Sequence, residues 1–281
     1  MPQSAQRRNG PAATRQTAGG KSAREAARPH QITRLGWLPD LPDQRDHLYA
    51  APLATLGTLP SSFDLRPQCP AIYDQGNLGS CTANAIAAAI EFDQMKQKLP
   101  TEFLPSRLFI YYNERVIEGT VSTDSGAQIR DGIKTVSHQG ACSETDWPYV
   151  PANFAEKPPA ATYQAARLDR AVGYQRVARD LTQMKGCLFS GYPFVFGFTV
   201  YDSFMSQSVA QTGQAPMPAP GEQVVGGHAV MAVGYDDSQQ RFTVRNSWGT
   251  TWGMAGYFTL PYTYLIQPGL ASDFWTIRVV S

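Results

Sequence analysis

The run Tyr73-Asp74-Gln75-Gly76-Asn77-Leu78-Gly79-Ser80-Cys81-Thr82-Ala83-Asn84-Ala85 sets a glutamine six residues ahead of a cysteine, with glycines and a serine between them. Behind the cysteine, Ala83 to Lys98 is rich in alanine, with Ile86 and Ile90 four apart and Met95 further on. Isoleucines at that spacing among small residues, after a flexible entry, predict a buried helix that opens at or beside Cys81. A thiol there sits at the positive end of the helix dipole, where its thiolate is favoured. A buried, inert cysteine fits the same run equally well. The rest of the chain has to decide.

Four histidines are available as a thiol-activating base: His30, His47, His138 and His228. His30 and His47 lie in a segment that looks dispensable for the fold. His138 closes a helix expected over Ala127 to Ser137, just before Gly140, where a histidine needs no function. His228 instead opens an apolar strand within Gly226-Gly227-His228-Ala229-Val230-Met231-Ala232-Val233-Gly234-Tyr235. Eleven residues after Tyr235 comes Asn246, in Arg245-Asn246-Ser247-Trp248-Gly249-Thr250-Thr251-Trp252-Gly253. Cysteine, histidine and asparagine follow in that order, with 147 positions from the first to the second, a spacing that suits a thiol nucleophile and its partners.

Gln-Gly-x-x-Gly-Ser-Cys at 75–81, Gly-His-Ala-Val-x-x-Val-Gly-Tyr at 227–235 and Asn-Ser-Trp-Gly-x-x-Trp-Gly at 246–253 together resemble the papain family of cysteine peptidases, in its bacterial branch. The likeness runs from roughly Leu59 to Val280. It implies that Cys81 is the nucleophile and His228 its base, that Asn246 orients the imidazole, and that Gln75 is the side-chain donor of the oxyanion hole. It further implies substrate contacts at Gly126, through backbone hydrogen bonds, and at Gly227, Trp248 and Trp252, with Trp248 also shielding the Asn–His bond from water. Peptide bonds would be hydrolysed through a thiolate–imidazolium pair and an acyl-enzyme, without a cofactor. Two positions depart from the family: Leu78 replaces a cysteine and Thr82 an aromatic. The first removes a disulfide from the nucleophile loop, so packing must hold that loop; neither removes a catalytic atom.

At 281 residues, 42% hydrophobic and 17% charged, the chain can bury one large core or two modest ones. The net charge of +1 is unevenly spread: residues 1–34 hold seven basic side chains and one acid. That stretch is poor in large apolar residues and should stay mobile unless it docks. It lacks interleaved aromatics, so nucleic acid is not an expected partner. Further on, Gly36-Trp37-Leu38-Pro39-Asp40-Leu41-Pro42-Asp43 reads as an extended strap. Trp37 either packs on the body as an ordinary extension or belongs to a short propeptide, residues 1–58, lying in or near the cleft as an intramolecular inhibitor. The second reading implies a zymogen by analogy with the family.

No apolar run near Met1 suits a signal peptide, and nothing approaches the ~18–20 residues of a membrane span. The chain therefore reads as soluble, cytoplasmic or exported without a signal peptide, and as a monomer. Metal binding is not expected: no second histidine stands at ligand spacing and there is no Cys-x-x-Cys. Setting Cys81 aside, three cysteines remain, which allows at most one disulfide.

Helices are expected from Pro105 to Glu118, capped by Ser106, and from Leu181 to Phe189, capped by Asp180. Strands are expected over Pro193 to Tyr201, His228 to Tyr235, Arg241 to Asn246, Gly256 to Leu260 and Phe274 to Val280. Helices followed by strands give an α+β fold of two subdomains. Residues 59–170 form a helical half with the nucleophile, residues 171–281 an antiparallel, barrel-like β half with His228 and Asn246, and the cleft lies between. Two other functions fit the same motifs: an acyl or peptidyl transferase that resolves the thioester with an amine, and a non-catalytic secreted effector acting through its basic tail.

Overall fold

The computed structural model describes Met1, residues 35–100 and residues 102–280; the basic stretch expected to be mobile otherwise lies outside the described residues. The chain begins with strands β1 (Trp37–Leu38), β2 (Leu48–Tyr49) and β3 (Ser62–Asp64), with a short helix α1 (Leu53–Leu56) before β3. Helices α2 (Cys81–Gln97), α3 (Arg107–Glu118) and α4 (Ile129–His138) follow, with the two-residue strand β4 (Ala127–Gln128) ahead of α4. Beyond α5 (Ala160–Ala166) come β5 (Ala171–Val177), α6 (Leu181–Phe189), β6 (Phe194–Tyr201) and α7 (Gln207–Thr212). The chain closes with β7 (Val224–Asp236), β8 (Arg241–Arg245), β9 (Tyr257–Pro261), α8 (Tyr262–Ile266) and β10 (Ala271–Val280).

Helix α2 is the hinge between the halves. Every residue from Cys81 to Ile90 is buried, as expected of a helix that is apolar or small all round. Its alanines let the backbone approach α3 and α4 on one side and β7 and β10 on the other. Lys98, at φ 55, stops it in the left-handed conformation. Helix α3 starts where Ser106 accepts a hydrogen bond from the Phe109 N–H at 3.1 Å, a cap that stabilises by about 1 kcal/mol. Asp180 caps α6 in the same way through the Gln183 N–H.

The strands form an eight-stranded sheet in the order β2-β5-β10-β6-β7-β8-β9, with β3 added beside β7. All pairings in it are antiparallel except β2 with β5. Strand β10, the last in sequence, lies between β5 and β6, so the sheet is completed by the end of the chain. The architecture is α+β, with helices α2 to α4 packed against a sheet, as expected.

Several local expectations shift. Ala127 and Gln128 are not the first turn of α4; they pair in parallel with Trp37 and Leu38. Pro151–Asn153 is a single 3-10 turn, and α5 and β5 occupy stretches where no element was expected. All four cysteines are free. Among the described residues no helix is long and apolar enough to cross a membrane, and no group of three or more His, Cys, Asp or Glu side chains is arranged to hold a metal ion.

Candidate active site

Cys81 is the first residue of α2, and His228 stands on β7, one of the strands packed against that helix. Both are wholly buried. His228 Nε2 lies 2.8 Å from Asn246 Oδ1, so the N–H is on Nε2 and Nδ1 is left facing away from the asparagine. Nδ1 has no hydrogen-bond partner among the described residues. Trp248 stacks on the imidazole, with ring centres 4.6 Å apart and planes 27° apart, and covers the His–Asn bond. Trp252 meets Trp248 edge-on at 5.1 Å and is itself buried, so it supports Trp248 from behind.

Gln75 reaches the same place from the loop before α2. Its Nε2 donates to the Leu78 carbonyl at 3.0 Å, which leaves the second amide hydrogen uncommitted, and its Oε1 accepts from Ser247 Oγ at 2.6 Å. The Ser247 backbone N–H donates to Asn246 Oδ1 at 2.8 Å. Ser247 thus ties Gln75 to Asn246 and His228 in one buried chain of hydrogen bonds. Reading the sequence left it without a role, since only the fold brings residue 75 against residue 247.

The two departures from the family pattern have local explanations. Leu78 is buried, and the Gly79 N–H next to it donates to the Asp124 carboxylate at 3.0 Å, which also accepts from Tyr111 Oη at 2.5 Å. Packing and a carboxylate therefore pin the loop that a disulfide would otherwise hold. Thr82 turns toward the helical half and donates to Glu114 Oε2 at 2.8 Å. Burial holds that glutamate's pKa well above the ordinary carboxylate range.

The strap runs between the loop before Cys81, Gly126 and β7. Gly36 passes so close to the loop before Cys81 that a Cβ on it would sit 1.8 Å from the Gly79 carbonyl oxygen. Its own carbonyl accepts from the Ala127 N–H at 2.7 Å, and a Cβ on Gly126 (φ +78) would sit 2.2 Å from it. A Cβ on Gly227 would meet the Trp37 carbonyl oxygen at 2.3 Å. Gly126 and Gly227, singled out as substrate contacts, therefore both face the strap. Beyond Trp37, the strap is held by charge. Asp40 accepts from the Arg130 N–H at 3.0 Å and from Trp275 Nε1 at 3.0 Å. Asp46 pairs with Arg130 and with Arg176, the latter at 2.9 Å.

Burial acts on both groups. Burial pushes the Cys81 thiol up to about 12, although the backbone N–H groups of Ala229 and Gly36 face the sulfur and pull it partway back. Burial also pulls His228 down to about 4, against the Asn246 bond that favours the imidazolium. Burial thus favours the neutral form of each group.

A model of the papain family cysteine protease matches residues 59–273, most of the chain. The chain belongs to the papain family of cysteine proteases. It is 46% identical over 271 residues to an uncharacterized peptidase C1-like protein of Acanthamoeba polyphaga mimivirus, covering 88% of this chain and 87% of that one. The crystal structure of xylellain, a cysteine protease from Xylella fastidiosa, superposes with a TM-score of 0.85 at 43% identity, covering 90% of this chain and 99% of that one. A procathepsin B of Trypanosoma congolense shares the fold at a TM-score of 0.66 and 19% identity, covering 88% and 86%. As a papain-family protease the chain is a hydrolase that acts through a cysteine.

Proposed function

We propose that Cys81, His228, Asn246 and Gln75 carry a cysteine endopeptidase activity, and that the chain is made as a zymogen whose strap closes the cleft. The observation that carries this reading is the buried His228–Asn246 hydrogen bond, with His228 on the strand packed beside a helix that opens on Cys81. When the strap leaves, water reaches both groups and the burial that favours their neutral forms is lifted. Cys81 then gives its proton to His228 Nδ1, and the thiolate is stabilised by the imidazolium and by the N-terminus of α2. The sulfur attacks the scissile carbonyl. The oxyanion takes the free Gln75 amide hydrogen and the Cys81 backbone N–H, a pair in which one donor is worth roughly 3 kcal/mol. His228 protonates the leaving amine, and water, activated by the same imidazole, releases the acyl group.

Residues 59–170 and 171–281 serve as the two walls, with Gly126 and Gly227 offering backbone to an extended peptide. The extension before residue 59 divides in two by its contacts. Residues 35–46 lie across the cleft, whereas Tyr49 and Ala51 are buried on the sheet edge and against α6. The inhibitory part is therefore the first, and a chain beginning at His47 keeps the sheet edge covered. Peptide or protein segments are the substrates, and the enzyme works as a monomer without metal or cofactor. Cys81→Ala is the test: peptide turnover by the strap-free chain is expected to vanish with the fold intact, and retained turnover would discard the mechanism.

A further inference from the structure

Residues 74–80, which carry Gln75 up to Cys81, contain two glycines and, with leucine at position 78, no cysteine to staple them. Such a loop does not by itself fix the distance from the Gln75 amide to the Cys81 N–H. One atom outside it does. Tyr149 Oη, in the loop that follows α4, donates to the Gln75 carbonyl at 2.9 Å and lies 2.5 Å from Ser80 Oγ. Its single hydrogen is spent on Gln75, so the short contact is the Ser80 hydroxyl donating to the tyrosine oxygen. Ser80 stands at the N-cap of α2, where a serine ordinarily turns its oxygen onto the first turn of the helix. Here it makes no such cap bond, and the buried hydroxyl goes to Tyr149 instead.

Tyr149 is itself braced. Its ring lies over the Arg107 guanidinium at 4.0 Å. That guanidinium is clamped to Glu144 through Nε at 2.8 Å and Nη2 at 2.7 Å. Its Nη1 donates at 3.1 Å both to the Asp74 carbonyl, one residue before Gln75, and to Asn84 Oδ1. Asn84 closes the circuit by donating to the Ser80 carbonyl at 2.9 Å. The links thus reach the loop at its two ends, residues 74–75 and residue 80, beside the two N–H donors assigned to the oxyanion hole. A displacement of about 1 Å between such donors costs on the order of a hundredfold in rate. We propose that Tyr149 is a positioning residue of the oxyanion hole, setting the span between the Gln75 amide and the Cys81 N–H, with Arg107 holding its ring in place.

This rests on the peptidase reading, and the experiment separates the two. The parent is the full chain carrying Trp37→Ala to free the cleft. Tyr149→Phe is added to it, which keeps the ring on Arg107 and removes only the hydroxyl. Rates are normalised to the Cys81 thiol titrated to completion. With peptidyl-aminomethylcoumarin substrates, kcat is expected to fall about tenfold while KM changes by less than about twofold. Alkylation of Cys81 by iodoacetamide, which passes through no oxyanion, is expected to keep its rate and its pH profile. Ser80→Ala removes the same contact from its other end and should give the same split, which keeps the test open if Tyr149→Phe does not fold. Adding Tyr149→Phe to Gln75→Ala should cost no more than Gln75→Ala alone. Unchanged kcat, additive losses, or alkylation that slows in step with kcat would overturn the positioning role while leaving the peptidase. A parent without turnover would overturn the peptidase reading, and the positioning role with it.

Discussion

Replacing Trp37 by alanine should turn a silent thiol into a reactive one. Trp37 is only 7% exposed, and truncating a buried tryptophan typically costs about 3–5 kcal/mol. Trp37 belongs to the strap, so that loss is expected to fall first on strap docking. About 3–4 kcal/mol of docking energy corresponds to an open population raised by roughly a hundredfold to a thousandfold. Cys81 alkylation by iodoacetamide at pH 6 should report that population, because the docked thiol is fully buried and burial pushes its pKa up to about 12. Peptide mapping supplies internal controls. Burial pushes Cys69 up to about 11 and Cys142 and Cys187 up to about 12, so all three should stay unlabelled. A second perturbation leaves the indole alone: Gly36→Ala places a methyl 1.8 Å from the Gly79 carbonyl and should lift the strap in the same way. A change of less than about threefold in both variants, with the fold retained, would refute strap gating. Labelling of all four cysteines together would mean general loosening instead.

Two further perturbations probe the hydrogen-bond chain and the strap's charge. Ser247→Ala frees the Gln75 amide and is expected to lower kcat about tenfold, and Gln75→Ala about a hundredfold. The double variant should be no slower than Gln75→Ala alone, and additive losses in steady-state kinetics would separate the two residues. Asp40 is raised from 3.8 to about 6 in the docked strap, mainly by burial and then by Asp273. The docked form thus holds this proton more tightly than the free strap, so Asp40 strengthens docking as pH falls from about 7 towards 4 and weakens it as pH rises through 6. The ratio of Cys81 labelling in the full chain to that in a chain beginning at His47 isolates docking. The part of its pH dependence that disappears in Asp40→Asn should have that sign; the opposite sign would mean that acid opens the strap through this residue.

What could be read in the sequence was what the chain keeps local. The helix behind Cys81 follows from isoleucines four apart among alanines, and the short blocks around residues 75, 228 and 246 each hold their own pattern. The caps at Ser106 and Asp180 are likewise set within three residues. Long-range partners were invisible. Trp37 meets Asp273 across 236 positions, and Gln75 meets Ser247 across 172. Ala127 and Gln128 carry no strand signal of their own and become one because the strap runs beside them. Strand β5 holds Gly173 and Arg176, which hide it from a search for alternating apolar residues; its arginine points to the strap's aspartates. The burial of Cys81 and His228 also needed the structure, because sequence names the groups that can exchange a proton but not what covers them.

The most direct test of the central claim is the rate at which an epoxysuccinyl reagent modifies the chain beginning at His47 at pH 5, measured by intact mass and peptide mapping for the parent and for His228→Ala. One rapid adduct on Cys81 is expected in the parent, with a loss of at least about a hundredfold without the imidazole. Equal rates in the two proteins, or adducts spread over the other cysteines, would contradict it.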